Sequence, residues 1–309
     1  MSHLVHVFPQ QTIKKMKTYY ANDLQKTPAG ATFRAKTDQA VITAYKSGKV
    51  LFQGSAPVEE AGKWTDLAES QGDAGQKSKP GNPYNPPEQL LNSSHVGSDE
   101  AGTGDYFGPI TVAACYVPKE KIALLKEIGV KDSKNLTDES MKDLSKKIVQ
   151  IGIPYSLLVL NNEKYNVLQQ KGWTQGTMKT ILHHQAIVNV MDKIKEEQPD
   201  GILIDQFCEP RVYERHLLTQ NYSMLPKTYF MTKAESHSIA VAAASILART
   251  RFVKGMDHIS KSLGMEIPKG ASTKVDQVAA RLMKRFGEKS LTSYAKIHFA
   301  NTKKAKKLL

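Results

Sequence analysis

Residues 110–117 read Ile-Thr-Val-Ala-Ala-Cys-Tyr-Val, and residues 201–205 read Gly-Ile-Leu-Ile-Asp. Both runs are almost continuously apolar, which is typical of strands that are covered on both faces. Thr137 to Gln150 lies between them and predicts a helix, because its apolar residues recur at helical spacing. A further strand is predicted at Tyr155 to Leu160, and a longer helix at Thr180 to Glu197. This alternation of strand and helix predicts a layered α/β domain.

The composition changes ahead of this domain. Residues 70–94 are dominated by Gly, Pro, Ser, Asn and Gln and show no apolar periodicity, which predicts a linker. Residues 1–69 predict a small α+β domain that could bind a substrate, and residues 95–309 form the α/β domain with a basic C-terminal segment. The predicted elements of the small domain are a helix from Ile13 to Leu24, strands at Ala31 to Lys36, Ala40 to Tyr45 and Lys49 to Phe52, and a helix from Val58 to Glu69.

The charge of the chain favours a polyanionic partner. Its 309 residues include 43 Lys and Arg against 30 Asp and Glu, a net charge of +13. Residues 269–309 hold eleven basic residues against Asp276 and Glu288 and so contribute +9. Lysines and arginines that neutralise phosphates release counterions and bind nucleic acids in a salt-sensitive way. A solvated basic tail at residues 303–307 is the alternative explanation.

The sequence predicts a cytoplasmic protein and offers no reason to expect more than a monomer. The most apolar stretch, Ile239 to Ala248, is shorter than the ~20 residues that a membrane-spanning helix needs. The first residues lack the basic start and apolar block of a signal peptide. Cys115 and Cys208 are too few for a disulfide framework, and neither belongs to a metal-binding Cys-x-x-Cys motif.

Four carboxylates stand at the ends of predicted elements. Asp99 and Glu100 precede a Gly-rich loop, Asp205 ends an apolar strand, and Glu235 opens a long apolar helix. Each also has a structural explanation: a turn for the adjacent pair, a helix cap for Asp205, and a favourable helix dipole for Glu235. Ligands of open α/β sheets, however, bind where the strands end. Because adjacent strand residues face opposite sides, Asp99 and Glu100 can share a site only where the strand ends or bulges.

Taken together, four acids without a Cys or His cluster favour Mg²⁺ or Mn²⁺ over zinc. The Gly-rich loop at residues 102–108 has the wrong spacing for a dinucleotide-binding motif and lacks the lysine of a P-loop. Its glycines would instead let main-chain groups approach a nucleic-acid sugar closely.

The motifs resemble, in order and spacing, those of the type 2 ribonucleases H. Within that family they are most similar to the bacterial ribonuclease HIII group, because the HII group carries Gly-Arg-Gly at residues 102–104 and Asp at the position of Glu235. The motifs are Ser98-Asp99-Glu100-Ala101-Gly102-Thr103-Gly104-Asp105-Tyr106-Phe107-Gly108-Pro109, Asp132-Ser133-Lys134-Asn135-Leu136, Ile202-Leu203-Ile204-Asp205, Lys233-Ala234-Glu235-Ser236-His237-Ser238-Ile239-Ala240, and Ala243-Ala244-Ser245-Ile246.

The resemblance implies a ribonuclease H-like mixed sheet flanked by helices, preceded by a small α+β domain that resembles the TATA-box-binding protein fold. It implies that Asp99, Glu100, Asp205 and Glu235 are catalytic and bind two divalent ions, Mg²⁺ or Mn²⁺. It further implies that Gly102, Thr103 and Gly104 read the ribose 2′-hydroxyl, and that four other side chains lie near the substrate. These are Lys134, His237, Ser238 and Ser245.

The implied activity is hydrolysis of the RNA strand of an RNA–DNA hybrid, leaving 5′-phosphate and 3′-hydroxyl ends. Two alternatives remain open on the sequence. A non-catalytic duplex-binding or RNA-binding protein would use its acids as helix caps and its basic residues for binding. Another two-metal nuclease of related fold would act on DNA, although Asp99-Glu100 directly before Gly102-Thr103-Gly104 argues against it.

Overall fold

The structure, a computed structural model, describes residues 2–28, 30–69, 82–130 and 136–309. The chain forms two compact units that divide near residue 80. Within the described ranges, no helix is both long enough and apolar enough to cross a membrane.

The first unit is a five-stranded antiparallel sheet with two helices, in the strand order β1-β5-β4-β3-β2. The three strands and the second helix that the sequence predicts are present. The first predicted helix ends at Tyr19, earlier than expected, and Leu24 instead begins a short strand, β2; neither β1 nor β2 was predicted. The elements are β1 Ser2–Val7, α1 Gln10–Tyr19, β2 Leu24–Gln25, β3 Ala31–Lys36, β4 Ala40–Tyr45, β5 Lys49–Gly54 and α2 Pro57–Glu69.

Both helices pack on the same face of this sheet. Ile13 of α1 and Trp64 of α2 share one apolar core with Phe52 of β5 and its buried neighbours. Because side chains alternate along a strand, Lys49, Leu51 and Gln53 of β5 lie on the opposite face. Among the described residues of this unit, no helix therefore covers the second face of the sheet.

The second unit is built on a five-stranded mixed sheet in the order β10-β9-β6-β7-β8. Strand β7 is antiparallel to its neighbours β6 and β8, whereas β9 and β10 run parallel to β6. Strand β10 was not predicted from the sequence. The elements are β6 His95–Ala101, β7 Ile110–Val117, α3 Ile122–Glu127, α4 Asp138–Gln150, β8 Tyr155–Leu160, α5 Asn162–Gln170, α6 Gln175–Lys193, β9 Gly201–Asp205, α7 Pro210–Leu218, β10 Thr228–Met231, α8 Ile239–Leu263, α9 Thr273–Phe286 and α10 Ala300–Lys306.

Helices cover both faces of this sheet. Val112, Ala114 and Tyr116 of β7 pack in one core with α6 and α7. Ala113 and Cys115, which alternate with them, pack in another core with α8, α3 and α4. Every residue of β7 is buried for this reason, and the uninterrupted apolar run at residues 110–117 is explained.

Strand β6 and the start of α8 approach each other unusually closely. A Cβ atom added to Gly97 would lie 2.2 Å from the backbone nitrogen of Val241 and 2.3 Å from the carbonyl carbon of Ala240. Ala240 and its alanine neighbours along α8 keep the helix surface flat at this contact. Only glycine at residue 97 lets the helix lie this close to the strand.

The structure differs from the predicted linker at its C-terminal end. Leu90 is buried and packs with Leu203 of β9. The backbone nitrogen of Phe230 in β10 donates a 2.8 Å hydrogen bond to the carbonyl oxygen of Tyr84. Residues 82–94 therefore belong to the second unit. Residues 70–81 of the predicted linker lie outside the described residues.

We expect Gly97→Ala to destabilise the second unit by about 3 kcal/mol or more, because the new methyl group would collide with backbone atoms that cannot move alone. Calorimetry should show its melting temperature falling by about 6–12 °C. Gly104→Ala is the matched control, since an added Cβ there meets no atom within 4 Å. Equal melting temperatures for the two variants would contradict the proposed close packing.

Candidate active site

Three parallel strands end at one edge of the mixed sheet, and each leads to a carboxylate. The β6–β9 ladder ends at the pair Ser98↔Ile204, so Asp99 follows it on β6 and Asp205 follows it on β9. The β9–β10 ladder ends at Met231↔Asp205, and Glu235 comes shortly after β10. The carboxyl ends of neighbouring strands thus bring together acids that lie far apart in the sequence.

Asp99 and Glu100 face opposite sides of the sheet, as adjacent strand residues must. The β6–β7 register is continuous from His95↔Val117 to Ala101↔Thr111, so the bulge considered from the sequence is absent. Instead, the neighbouring strand β9 ends, which leaves both side chains at an open edge.

Asp99 is held on the side of α8. Its carboxylate forms a hydrogen bond with the Ser245 side chain, and its Oδ1 atom accepts one from the backbone nitrogen of Glu100 at 2.7 Å. Burial raises the pKa of Asp99 well above its usual value, and the nearby carboxylates of Glu100 and Asp205 raise it further. These two hydrogen bonds offset only part of that effect.

Asp205 does not cap a helix. Its Oδ1 atom accepts a 2.8 Å hydrogen bond from the backbone nitrogen of Ala234, and its carboxyl group, when protonated, donates a hydrogen bond to the Glu235 side chain. Helix α7 begins after Glu209 instead. Burial raises the pKa of Asp205 to about 6, with smaller contributions from the charges of Glu235 and Glu100.

Glu235 also differs from its predicted setting. It lies in a short 3₁₀ turn, Ala234–Ser236, and not in the first turn of the following helix, which begins at Ile239. Its side chain is only 5% exposed. The helix-dipole explanation therefore does not account for this acid, whereas its hydrogen bond to Asp205 places it in the carboxylate cluster.

Glu100 faces α6 and meets two basic side chains there. Lys179 Nζ donates a hydrogen bond to Oε1 at 2.8 Å, and His183 Nε2 lies 3.0 Å from Oε2. Burial alone would raise the pKa of Glu100, but His183 and Lys179 outweigh it and hold that pKa below the usual value. Sequence reasoning missed Lys179 and His183, although residues four positions apart on a helix lie on the same face.

The donor chemistry of this cluster fits hard divalent cations. No three Asp, Glu, His or Cys side chains within the described ranges are gathered closely enough to hold a metal ion as they stand. The acids nevertheless interact in an unbroken series, from Glu100 to Asp99, from Asp99 to Asp205, and from Asp205 to Glu235. Two buried carboxyl groups with raised pKa values gain most from a nearby cation, and oxygen donors suit Mg²⁺ and Mn²⁺.

A sharp bend follows β6 directly. Gly102 has a φ angle of +86°, and a Cβ there would lie 2.2 Å from the carbonyl oxygen of Pro109, so only glycine fits. Thr103 and Gly104 form the outer part of the bend, and Gly104 is exposed. The site thus combines four acids with an accessible stretch of backbone.

Buried side chains fix the far end of this bend. Lys296 Nζ donates hydrogen bonds to the carbonyl oxygens of Asp105 at 2.8 Å and Gly108 at 2.7 Å, and Asn162 also donates to Gly108. Burial lowers the pKa of Lys296 to about 7. From the sequence, Lys296 was assigned to the basic C-terminal segment that could bind a polyanion. The structure shows that this residue is buried, so it cannot contact one.

The other predicted substrate contacts differ in their surroundings. His237 is exposed beside the cluster. Ser245 is buried against Asp99, and Ser238 is 1% exposed, where its hydroxyl caps α8 and contacts His95. Ser238 thus has a structural role, and its role as a substrate contact stays a prediction. Lys134 lies outside the described residues.

The chain is similar to known ribonucleases along its whole length. The family model for ribonuclease HII matches residues 96–302, and a model described as a domain of unknown function (DUF3378) matches residues 3–77. Ribonuclease HIII of Oceanobacillus iheyensis is 56% identical, with both chains covered completely. Ribonuclease HIII of Bacillus licheniformis is 49% identical and is matched over 99% of its length.

Solved structures give the same assignment. The crystal structure of Bst-RNase HIII in complex with Mn²⁺ is 40% identical, has a TM-score of 0.69 and is matched over 99% of both chains. RNase H3 of Aquifex aeolicus, at 21% identity and a TM-score of 0.53, shares the fold. These matches confirm the predicted fold class, with its mixed sheet and its preceding small α+β domain. The chain therefore belongs to the ribonuclease HII family and, within it, to the ribonuclease HIII group.

Proposed function

We propose that this ribonuclease hydrolyses the RNA strand of RNA–DNA hybrids with two divalent cations, Mg²⁺ or Mn²⁺, and leaves 5′-phosphate and 3′-hydroxyl ends. One observation carries the proposal: acids from three parallel strands meet beside an exposed bend of the backbone. The relative whose structure contains Mn²⁺ supports the choice of metal.

Asp99, Glu100, Asp205 and Glu235 are the residues that would hold the cations. When bound, two such cations polarise the attacking water and neutralise the charge that develops on the leaving oxygen. The chain's own contribution is to fix the carboxylates in place. Ser245 and the Glu100 amide orient Asp99, and the Ala234 amide orients Asp205. This ordering leaves less motion to be lost when the substrate binds.

The bend would recognise the ribose. The 2′-hydroxyl is the group that distinguishes RNA from DNA at a given position, and it can both donate and accept a hydrogen bond. Main-chain groups of Gly102, Thr103 and Gly104 can match both roles, and the glycines on either side of Thr103 place no side chain in the way. Their place directly after Glu100 in the chain would put ribose recognition next to phosphodiester hydrolysis.

The first unit would add affinity through the sheet face that its helices leave open. That face carries apolar residues such as Val5, Val7 and Leu51, together with the basic residues Lys36 and Lys49. An apolar surface with basic residues around it suits the shallow minor groove of a hybrid and its flanking phosphates. Two binding units on one chain raise the effective concentration of the substrate at the catalytic unit.

The proposal is tested by comparing a labelled RNA–DNA hybrid with an all-DNA duplex of the same sequence in Mg²⁺. We expect cleavage of the hybrid alone. Asp205→Asn should lower that cleavage by about a hundredfold or more, because it removes one of the acids that orient the metal, while hybrid binding stays within about threefold. A binding protein without catalysis would show no cleavage to lose, and cleavage of the DNA duplex would indicate a different nuclease.

The role of the open sheet face can be tested by charge reversal. The double variant Lys36→Glu, Lys49→Glu should weaken hybrid binding by about tenfold or more and flatten its dependence on salt, because two phosphate contacts are lost. The turnover rate at saturating hybrid should not change. Lys14→Glu, Lys15→Glu on α1 is the matched control, since it makes the same charge change on the helical side. Equal weakening by both double variants would show that only net charge matters.

The raised pKa of Asp205, which is caused mainly by burial and further by neighbouring acids, predicts a pH effect on stability without metal. The pKa of Asp205 is higher in the folded protein than in the unfolded chain, so this carboxyl group costs nothing below about pH 4, destabilises the fold increasingly between about pH 4 and pH 6, and has a constant cost above that. Asp205→Asn in EDTA should therefore stabilise the protein by about 1–2 kcal/mol at pH 8, after allowance for solvent screening, and by less at pH 5.

Thermal unfolding at the two pH values measures this difference. Asp192→Asn, at an exposed carboxylate on α6, is the control and should have little effect at either pH. A stabilisation by Asp205→Asn that is the same or larger at pH 5 than at pH 8 would contradict the raised pKa.

A further inference from the structure

One face of α6 lies along the end of β6 and the bend that comes after it. Gln175, Lys179 and His183 are spaced four apart, so their side chains form a stripe along the helix. Gln175 contacts Thr103, Lys179 contacts Glu100, and His183 contacts both Glu100 and Ser98. This α6 stripe therefore spans the metal-binding acid and the ribose-reading bend. Within the stripe, Gln175 is the residue that contacts the bend.

The amide group of Gln175 is fixed from both sides. Its Nε2 atom donates to the carbonyl oxygen of Thr103 at 3.1 Å and to the hydroxyl of Tyr165 at 3.2 Å. An amide nitrogen carries two hydrogens, so both of its donors have a partner. Tyr165 is buried and stacks on His298 with ring centroids 5.5 Å apart. A packed ring thus sets the position of the donor that reaches the bend.

The Gln175 contact supports the bend at Thr103, between its two fixed ends; β6 pairs with β7 up to Ala101↔Thr111 on the near side. Lys296 and Asn162 hold residues 105–108, which lie beyond the bend. Gly104 has open space around it, so the outer side of the bend is accessible. Gln175 reaches Thr103 from the protein side and leaves that outer side free for a substrate.

We infer that Gln175 is a specificity-determining positioning residue, which holds the Thr103 carbonyl and thereby keeps the ribose-reading bend in register with the catalytic acids. The inference rests on the proposed function, because it assumes that the bend reads the 2′-hydroxyl. A side chain on α6 would thus contribute to the discrimination between RNA and DNA.

The expected effect follows from what the bend stabilises. Contacts to the 2′-hydroxyl are made only with a ribose substrate, so a loosened bend slows that substrate and leaves one without the hydroxyl unaffected. One well-placed hydrogen bond contributes about 1–1.5 kcal/mol, which corresponds to roughly tenfold in rate. The ratio of kcat/KM for the ribose substrate to that for the substrate without the 2′-hydroxyl should therefore fall about tenfold.

The test uses Gln175→Met in the full-length protein, which keeps the length of the side chain and removes the N–H donor. Gln185→Met is the matched control, because Gln185 is an exposed glutamine on another face of α6. The substrates are an RNA–DNA hybrid and the same hybrid with 2′-fluoro groups along the RNA strand. These groups preserve the sugar conformation and remove the hydroxyl donor. Mn²⁺ affinity is measured separately by calorimetry without substrate.

We expect Gln175→Met to lower the hydroxyl-to-fluoro ratio of kcat/KM by about tenfold, with Mn²⁺ affinity within about twofold of the unsubstituted protein. Gln185→Met should change neither. The inference is overturned if Gln175→Met keeps the full ratio, slows both substrates equally, or alters Mn²⁺ affinity as strongly as the ratio. An unsubstituted protein that cleaves both hybrids at the same rate would instead overturn the proposed reading of the 2′-hydroxyl.

Discussion

The burial of neighbouring carboxylates is the constraint on which the rest of this structure depends. Asp99 and Asp205 lie at the ends of adjacent parallel strands, where burial and neighbouring negative charges raise both pKa values. A fold that only needed stability would not gather acids at such a place. Their arrangement fits the cation site proposed above, because divalent cations would offset the negative charge of the carboxylates.

Side chains from both helical layers hold these acids in place. Helix α8 provides Ser245 for Asp99 and approaches β6 closely enough that residue 97 must be glycine. Helix α6 provides Lys179 and His183 for Glu100 on the opposite face. Because adjacent strand residues face opposite sides, a site built on Asp99 and Glu100 needs a supporting layer on each side of the sheet.

The sequence predicted most elements of the fold because their signals are local. The apolar run of β7, the capped helix α4 and the strands β3, β4 and β5 follow from periodicity and turn residues. Strands β2 and β10 were missed because they have only two and four residues, and β1 was missed because it pairs with β5, which is distant in the chain. The predicted linker extended too far toward the C-terminus. The Pro-rich composition of residues 82–94 gives no local signal for the burial of Leu90, which depends on contacts with β9.

The sequence by itself determined which acids are candidates and which chemistry they favour, because motif order, residue type and the lack of a Cys or His cluster can be read directly. Only the tertiary structure decided that Asp205 bonds to Glu235 instead of capping a helix, that Lys296 is buried, and that Gln175 and Lys179 face the site. The physical reason is that these contacts join residues up to 191 positions apart, as Lys296 and Asp105 show. Helix and strand periodicity determines which face of an element a side chain lies on. The packing of the layers determines which residues that face contacts.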